Sequence, residues 1–324
     1  FRVAASNYFP QEELNNQAYV IESNPSNYLA YRGEWILNEK GERKLPLEVN
    51  FIPLMQDDPQ DEAIYILNDG HPKRNVRGLY VGGADSYDQD KSDTSSSLGA
   101  MVVLTKEHSI NNYPKMTPVC LIRTRPKRKE KFYEMCGMVS VAYNLLSGTL
   151  IDYGKTLIFE WYKTNGLERY LAKRPQKFES ENSTQSNEYG VQMHGPAKPA
   201  MIGLLQTYYT DYAQNIWFRD MIDEALKYNT QDKDSDQDSV DALGIALMQM
   251  YSDGISYHDS SKMLKEKPFQ MPVWDEDGMG NIYDTSEKSE GFKYADPSLV
   301  PDPFLIMIGK DNFGSNEQND EDYD

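Results

Sequence analysis

Three carboxylates draw attention because each adjoins an apolar run. Asp85 closes the stretch LYVGGAD, Glu160 follows Leu157, Ile158 and Phe159, and Asp241 precedes Ala242, Leu243 and Gly244 in DSVDALGIALM. An acid in apolar surroundings is costly unless it is paired or neutralised. Each has an ordinary structural account: Asp85 can open an Asx turn, and Asp238 or Ser239 can cap a helix whose dipole favours acids. As a set they read differently. Carboxylates converging without cysteine or clustered histidine make an oxygen-only site, suited to Mg²⁺ or Mn²⁺ and poor for zinc. Two such ions about 3.5 to 4 Å apart can activate a water and stabilise the leaving oxygen of a phosphodiester. Asp238 stands three residues before Asp241, on one helix face, and is a fourth candidate ligand. Asp88 and Asp90 follow Asp85 closely and read as loop acids.

These residues need elements to position them. LYVGGAD, LGAMVVLT (98–105) and PVCLIRT (118–124) read as three successive strands. Phe132, Met135, Cys136, Val139, Tyr143 and Leu146 fall at helical spacing, ending near Gly148. KTLIFEW (155–161) reads as a fourth strand with Glu160 near its end, and LERYLAK (167–173) as a short helix after the Asn165-Gly166 turn. Residues 175–188 look like a loop. A long helix is expected over 200–228, an acidic loop over 231–238 and a further helix over 239–252. Within residues 1–77, only VNFIPLM (49–55) and AIYILN (63–68) look strand-like. Strands, a helix, a strand and further helices describe an α/β sheet with an antiparallel start and a crossover. Small Ala242 and Gly244 would let the last helix lie close to that sheet, and Gly82-Gly83 would leave room beside Asp85.

Bulk properties exclude several classes. The chain has 324 residues and a formal charge of −18, which argues against a protein that simply coats nucleic acid. No run of 18 apolar residues exists, so no membrane span is expected. Two cysteines and four scattered histidines support neither a disulfide framework nor a structural zinc site, and a reducing cytoplasm is the natural compartment. No G-x-x-x-x-G-K-[ST] is present, so ATP binding by a P-loop is not expected. The chain opens on Phe1 and reads as a piece of a longer polypeptide. Against the overall acidity, RTRPKRKEK (123–131) holds Arg123, Arg125, Lys127, Arg128, Lys129 and Lys131 against one acid. It reads either as a solvated loop or as a contact for DNA phosphates. The Tyr pair in QTYYTDYAQNIW and Trp217 read as packing, and His194 as structural.

The blocks LYVGGADSYDQD, LIFEWYKTNGLERYL and QDSVDALGIALM, in that order, resemble the nuclease domain of the tailed-bacteriophage terminase large subunit. The likeness covers roughly residues 78–253, and no single block is distinctive alone. It implies a ribonuclease H-like mixed sheet flanked by helices, and a two-metal endonuclease acting on double-stranded DNA during viral genome packaging. Asp85, Glu160 and Asp241 would be the catalytic ligands of Mg²⁺ or Mn²⁺, with Asp238 as a co-ligand. Lys198 resembles a lysine that recurs near the site in that family, although an ordinary surface lysine is the alternative. Residues 1–77 would be a linker or the trailing part of an ATPase domain plus a sheet extension, 78–255 the nuclease domain, and 256–324 an extension with an acidic, disordered tail. Implied partners are DNA, a portal protein and a small terminase subunit, in the host cytoplasm and without a membrane. The competing readings are another ribonuclease H-like nuclease, of resolvase or transposase type, and a non-catalytic portal-docking module.

Overall fold

In the computed structural model the described residues are 8–68, 70–72, 78–88, 98–106, 115–154, 156–175, 178, 189–228 and 237–252, with the backbone of a small ladder, Val273–Trp274 and Gly280–Asn281. That ladder belongs to a separate unit, Ser261–Asp324; the elements below belong to the unit Phe1–Ser260. Asp90, most of the loop 175–188, residues 231–236 and the acidic tail lie outside the described residues.

The central strands follow from their composition. β4 (Tyr80–Asp85), β5 (Gly99–Thr105) and β6 (Pro118–Thr124) are near-continuous apolar runs, as strands covered on both faces must be. They form an antiparallel meander with Asp85 opposite Ala100 and Gly99 opposite Thr124. The chain then crosses over through α2 (Lys129–Ala142) and returns as β7 (Thr149–Ile151), parallel to β4, with Gly82 opposite Thr149 and Ala84 opposite Ile151. Upstream, β1 (Tyr28–Trp35), β2 (Val49–Pro53) and β3 (Ile64–Leu67) extend the sheet beyond β6, giving the order β2-β1-β3-β6-β5-β4-β7. This is a mixed α/β sheet flanked by helices, the arrangement expected of the ribonuclease H-like class. The N-terminal sheet extension is thus present. It also contains α1 (Gln11–Glu22) and β1, whose polar composition hides them; α1 buries only Leu14, Gln17, Ala18 and Ile21.

Three expectations are corrected. KTLIFEW is no strand: Thr156–Thr164 forms helix α3, burying Ile158, Phe159 and Tyr162 at positions i, i+1 and i+4. A short apolar run does not separate helix from strand by period, and the fourth strand is the shorter TLI just before it. Residues 168–170 make only one 3₁₀ turn, after which Leu171 bridges to Thr149. The long helix over 200–228 is two helices, α4 (Ala197–Tyr212) and α5 (Arg219–Lys227). Distant partners hold the break between them: Asn215 donates to the Lys115 carbonyl at 2.9 Å and Gln17 to that of Ile216 at 2.5 Å.

α6 (Asp238–Ser252) is buried around most of its circumference from Ser239 to Gln249, which fits a central helix with neighbours on several sides. It lies on β4 at Gly83, where an added Cβ would come within 2.2 Å of the Ala246 nitrogen and 2.3 Å of the Ala242 carbonyl oxygen. Only glycine permits this approach. Ala242 faces the sheet as expected. Gly244 does not: an added Cβ there would meet Met201 and Leu205 of α4. Its small size serves helix–helix packing. Both cysteines are free and buried, Cys120 in β6 and Cys136 in α2. Among the described residues, no helix is long and apolar enough to cross a membrane.

Candidate active site

The carboxyl ends of β4 and β7 lie side by side. Because side chains alternate along a strand, Asp85 projects to the same face as Gly83, which is the face covered by α6. Asp85 is half-buried there. Continuing the parallel register one step past Ala84 and Ile151 brings Asp152 beside it, and the Asp152 amide donates to the Ala84 carbonyl at 3.1 Å. Asp152 is 8% exposed. One of its oxygens accepts the Gly154 amide at 2.8 Å, an Asx turn that fixes the side chain where the strand stops.

α6 brings its acids to the same end. Ala242 and Ala246 form the stripe over Gly83, and Asp238, one turn earlier, continues that stripe. Its Oδ2 accepts the amide of Leu98, just before the residues of β5 that pair with Asp85. Asp241 lies on the adjoining stripe. Both its oxygens accept bonds from the Lys198 ammonium, at 2.8 and 2.7 Å, and Oδ1 also accepts one from the Tyr228 hydroxyl at 3.3 Å. Burial, and then the nearby Asp241 charge, push the Tyr228 phenol well above its ordinary pKa, so it stays a neutral donor. Lys198, which by its sequence context alone reads first as an ordinary surface lysine, sits on a candidate ligand.

Glu160 is placed elsewhere. It projects from the exposed side of α3, between buried Phe159 and Tyr162, and does not end a strand. Asp152 occupies the strand-end position that the sequence pattern assigns to Glu160. Its sequence signal matches that of Asp85: an apolar strand, here Leu150 and Ile151, followed at once by Asp. Asp88 accepts a long bond from the Leu157 amide at the start of α3, at 3.4 Å, consistent with a loop acid.

The basic run divides in two. Arg123 lies within β6, pairs with Glu224 of α5 and approaches Asp220 at 4.0 Å. Arg125 is buried and stacks on Tyr87 at 4.5 Å. Lys131 reaches Glu62 and Glu134, each at 3.4 Å. Lys129 opens α2 and is partly buried, while Lys127 and Arg128 are exposed. Tyr208 and Tyr209 are buried packing residues of α4.

The donor set at the sheet end is all oxygen, which suits a hard divalent cation. Its convergence is incomplete: among the described residues, no three His, Cys, Asp or Glu side chains form a group able to hold a metal ion. Asp241 is instead neutralised by Lys198. The fold is a mixed α/β sheet flanked by helices, with Asp85 and Asp152 at the carboxyl ends of its parallel strand pair β4 and β7.

No family model and no curated protein matches the chain. Among solved structures it is similar to the large terminase nuclease from thermophilic phage G20c, at 14% identity and a TM-score of 0.35, over 58% of this chain and 87% of that one. A likeness of that degree leaves the functional reading to the residues themselves.

Proposed function

We propose that this domain is a metal-dependent endonuclease that cuts double-stranded DNA, with Asp85, Asp152 and Asp241 as its metal-holding acids and Asp238 beside them. The observation that carries this reading is the placement of Asp85 and Asp152 on adjacent parallel strands, beneath the acid-bearing first turn of α6. Asp152 replaces Glu160 in the set, because Glu160 points outward from a helix. Bound Mg²⁺ or Mn²⁺ would activate the attacking water and stabilise the departing 3′ oxygen. The chain's own residues would supply the rest. Asp85, half-buried, and Asp152, buried, stand in register on neighbouring strands, Tyr228 donates to one oxygen of Asp241, and Lys198 would exchange that carboxylate for a DNA phosphate. Exposed Lys127 and Arg128 would add phosphate contacts.

The setting of viral genome packaging, with a portal protein and a small terminase subunit as partners in the host cytoplasm, rests on the three sequence blocks in their order. Cleavage of supercoiled plasmid by the 324-residue chain tests the reading. Nicking and linearisation are expected with Mn²⁺ or Mg²⁺, none with EDTA, and none from Asp85→Ala or Asp152→Ala. Metal-dependent cutting that survives both substitutions would sink it.

The Lys198–Asp241 pair favours a second reading, a non-catalytic docking module in which the acids only cap and pair. Calorimetry separates the two. The nuclease reading expects Mn²⁺ binding that Asp85→Ala removes, and the docking reading expects no Mn²⁺ binding by the wild type.

A further inference from the structure

Glu224 is the most deeply buried carboxylate near the site, at 4% exposure, and the proposed chemistry gives it no part. It belongs to α5, yet it caps α6. Its Oε2 accepts the Ser239 amide at 2.8 Å, the Val240 amide at 3.3 Å and the Ser239 hydroxyl. This cap reaches across from another helix rather than along the chain. The other oxygen, Oε1, accepts from the Nε of Arg123 on β6. One carboxylate therefore ties together a sheet strand, α5 and the first turn of α6. That turn begins at Asp238, and its first backbone bond runs from the Asp241 amide to the Gln237 carbonyl at 2.9 Å.

The energetics favour a specific role. Helix N-termini leave amide donors unpaired, and an acid there gains from both the hydrogen bonds and the dipole. A buried carboxylate is destabilising without its partner, so Arg123 and Glu224 are mutually required. Asp238 Oδ2 accepts the Leu98 amide, which draws this carboxylate toward the sheet. The long-range cap leaves Asp238 turned to the sheet and Asp241 turned to Lys198.

We infer that Glu224 and Arg123 are positioning residues of this site: together they fix the register of the first turn of α6, and hence of Asp238 and Asp241, against the strand ends. This rests on the nuclease reading for its consequence but not for its geometry. It also removes Arg123 from the DNA-contacting set and gives it an internal role.

Two substitutions in the full chain, Glu224→Gln and Arg123→Gln, test this. Amide hydrogen exchange of Ser239 and Val240 is expected to accelerate at least about tenfold in either variant, while protection of the α6 interior at Leu243 to Leu247 is retained. Mn²⁺ affinity by calorimetry should weaken by about 10- to 100-fold, as for other groups that orient metal ligands. In plasmid cleavage kcat should fall with KM for DNA unchanged. The double variant should be no worse than either single one, since the two residues act through one bond. The salt slope of DNA binding should stay at the wild-type value for Arg123→Gln. A slope lower by about 0.9 would mark Arg123 as a phosphate contact and overturn its assignment. Unchanged Ser239 and Val240 exchange would overturn the anchor itself. If exchange accelerates but even the wild type binds no Mn²⁺, the anchor stands and the nuclease reading falls.

Discussion

TLID at 149–152 and TLIF at 156–159 begin with the same three residues, yet the first ends β7 in the sheet and the second opens α3 outside it. In β7, Thr149, Leu150 and Ile151 are all buried, and the chain bonds to β4 on one side and to Leu171 on the other. In α3, Leu157 is 38% exposed while Ile158 is fully buried, the one-sided burial of a surface helix. What separates them is the available partner. A strand of three residues survives only where a neighbour supplies its hydrogen bonds, and β4 offers one free edge. Once TLI has filled it, the following apolar run meets its backbone needs internally, as a helix. The consequence for the acids is opposite: Asp152 is pinned beside Asp85, and Glu160 is turned to solvent.

The sharpest way to break this contrast is to neutralise each acid. Asp152→Ala should reduce Mn²⁺-dependent plasmid cleavage by more than about 100-fold, since changes even one shell further out reach that size. Glu160→Ala should stay within about twofold of wild type, as a surface substitution does. The reverse pattern would return the site to the α3 segment.

A second measurement probes the contact that places α6 above the strand ends. Gly83→Ala drives a Cβ into the α6 backbone at Ala242 and Ala246, which no side-chain adjustment relieves. Denaturant unfolding should show a loss of about 1 to 3 kcal/mol or more, as for overpacking generally. Stability equal to wild type would mean that the helix does not lie there. The two faces of α3 can be compared in the same assay. Ile158→Ala should cost about 2 to 5 kcal/mol, against at most about 0.5 kcal/mol for Leu157→Gln. Equal costs would argue for a strand buried on both faces.

The smallest expected effect concerns the exposed bases. Lys127→Ala and Arg128→Ala should each lower the salt slope of DNA binding by about 0.9. Neither should change stability by more than about 0.5 kcal/mol. Unchanged slopes would leave both as solvated loop charges.

Much of the fold was legible in the sequence. β5 and β6 appear close to their expected bounds because their runs are long, apolar and set off by turns. α6 is equally plain, since Val240, Leu243, Ile245, Leu247 and Met248 cannot all be satisfied anywhere but in a core. The break between α4 and α5 was not legible, because its partners Gln17 and Lys115 lie 199 and 100 residues away in sequence. The same holds for the bonds that Glu224 accepts from the Ser239 and Val240 amides, since it lies on another helix.

By itself, then, the sequence determined which segments are apolar enough to be buried and that acids stand at their edges, Asp85, Asp238 and Asp241 among them. Only the tertiary structure decided which of those acids meet. Strand pairing set Asp152 beside Asp85, because register along β4 is a property of two chain segments and not of either one. Long-range pairing likewise drew Arg123 inward to Glu224 and set Lys198 on Asp241. Charge is carried by single residues, but its use depends on which opposite charge the fold brings within hydrogen-bond reach.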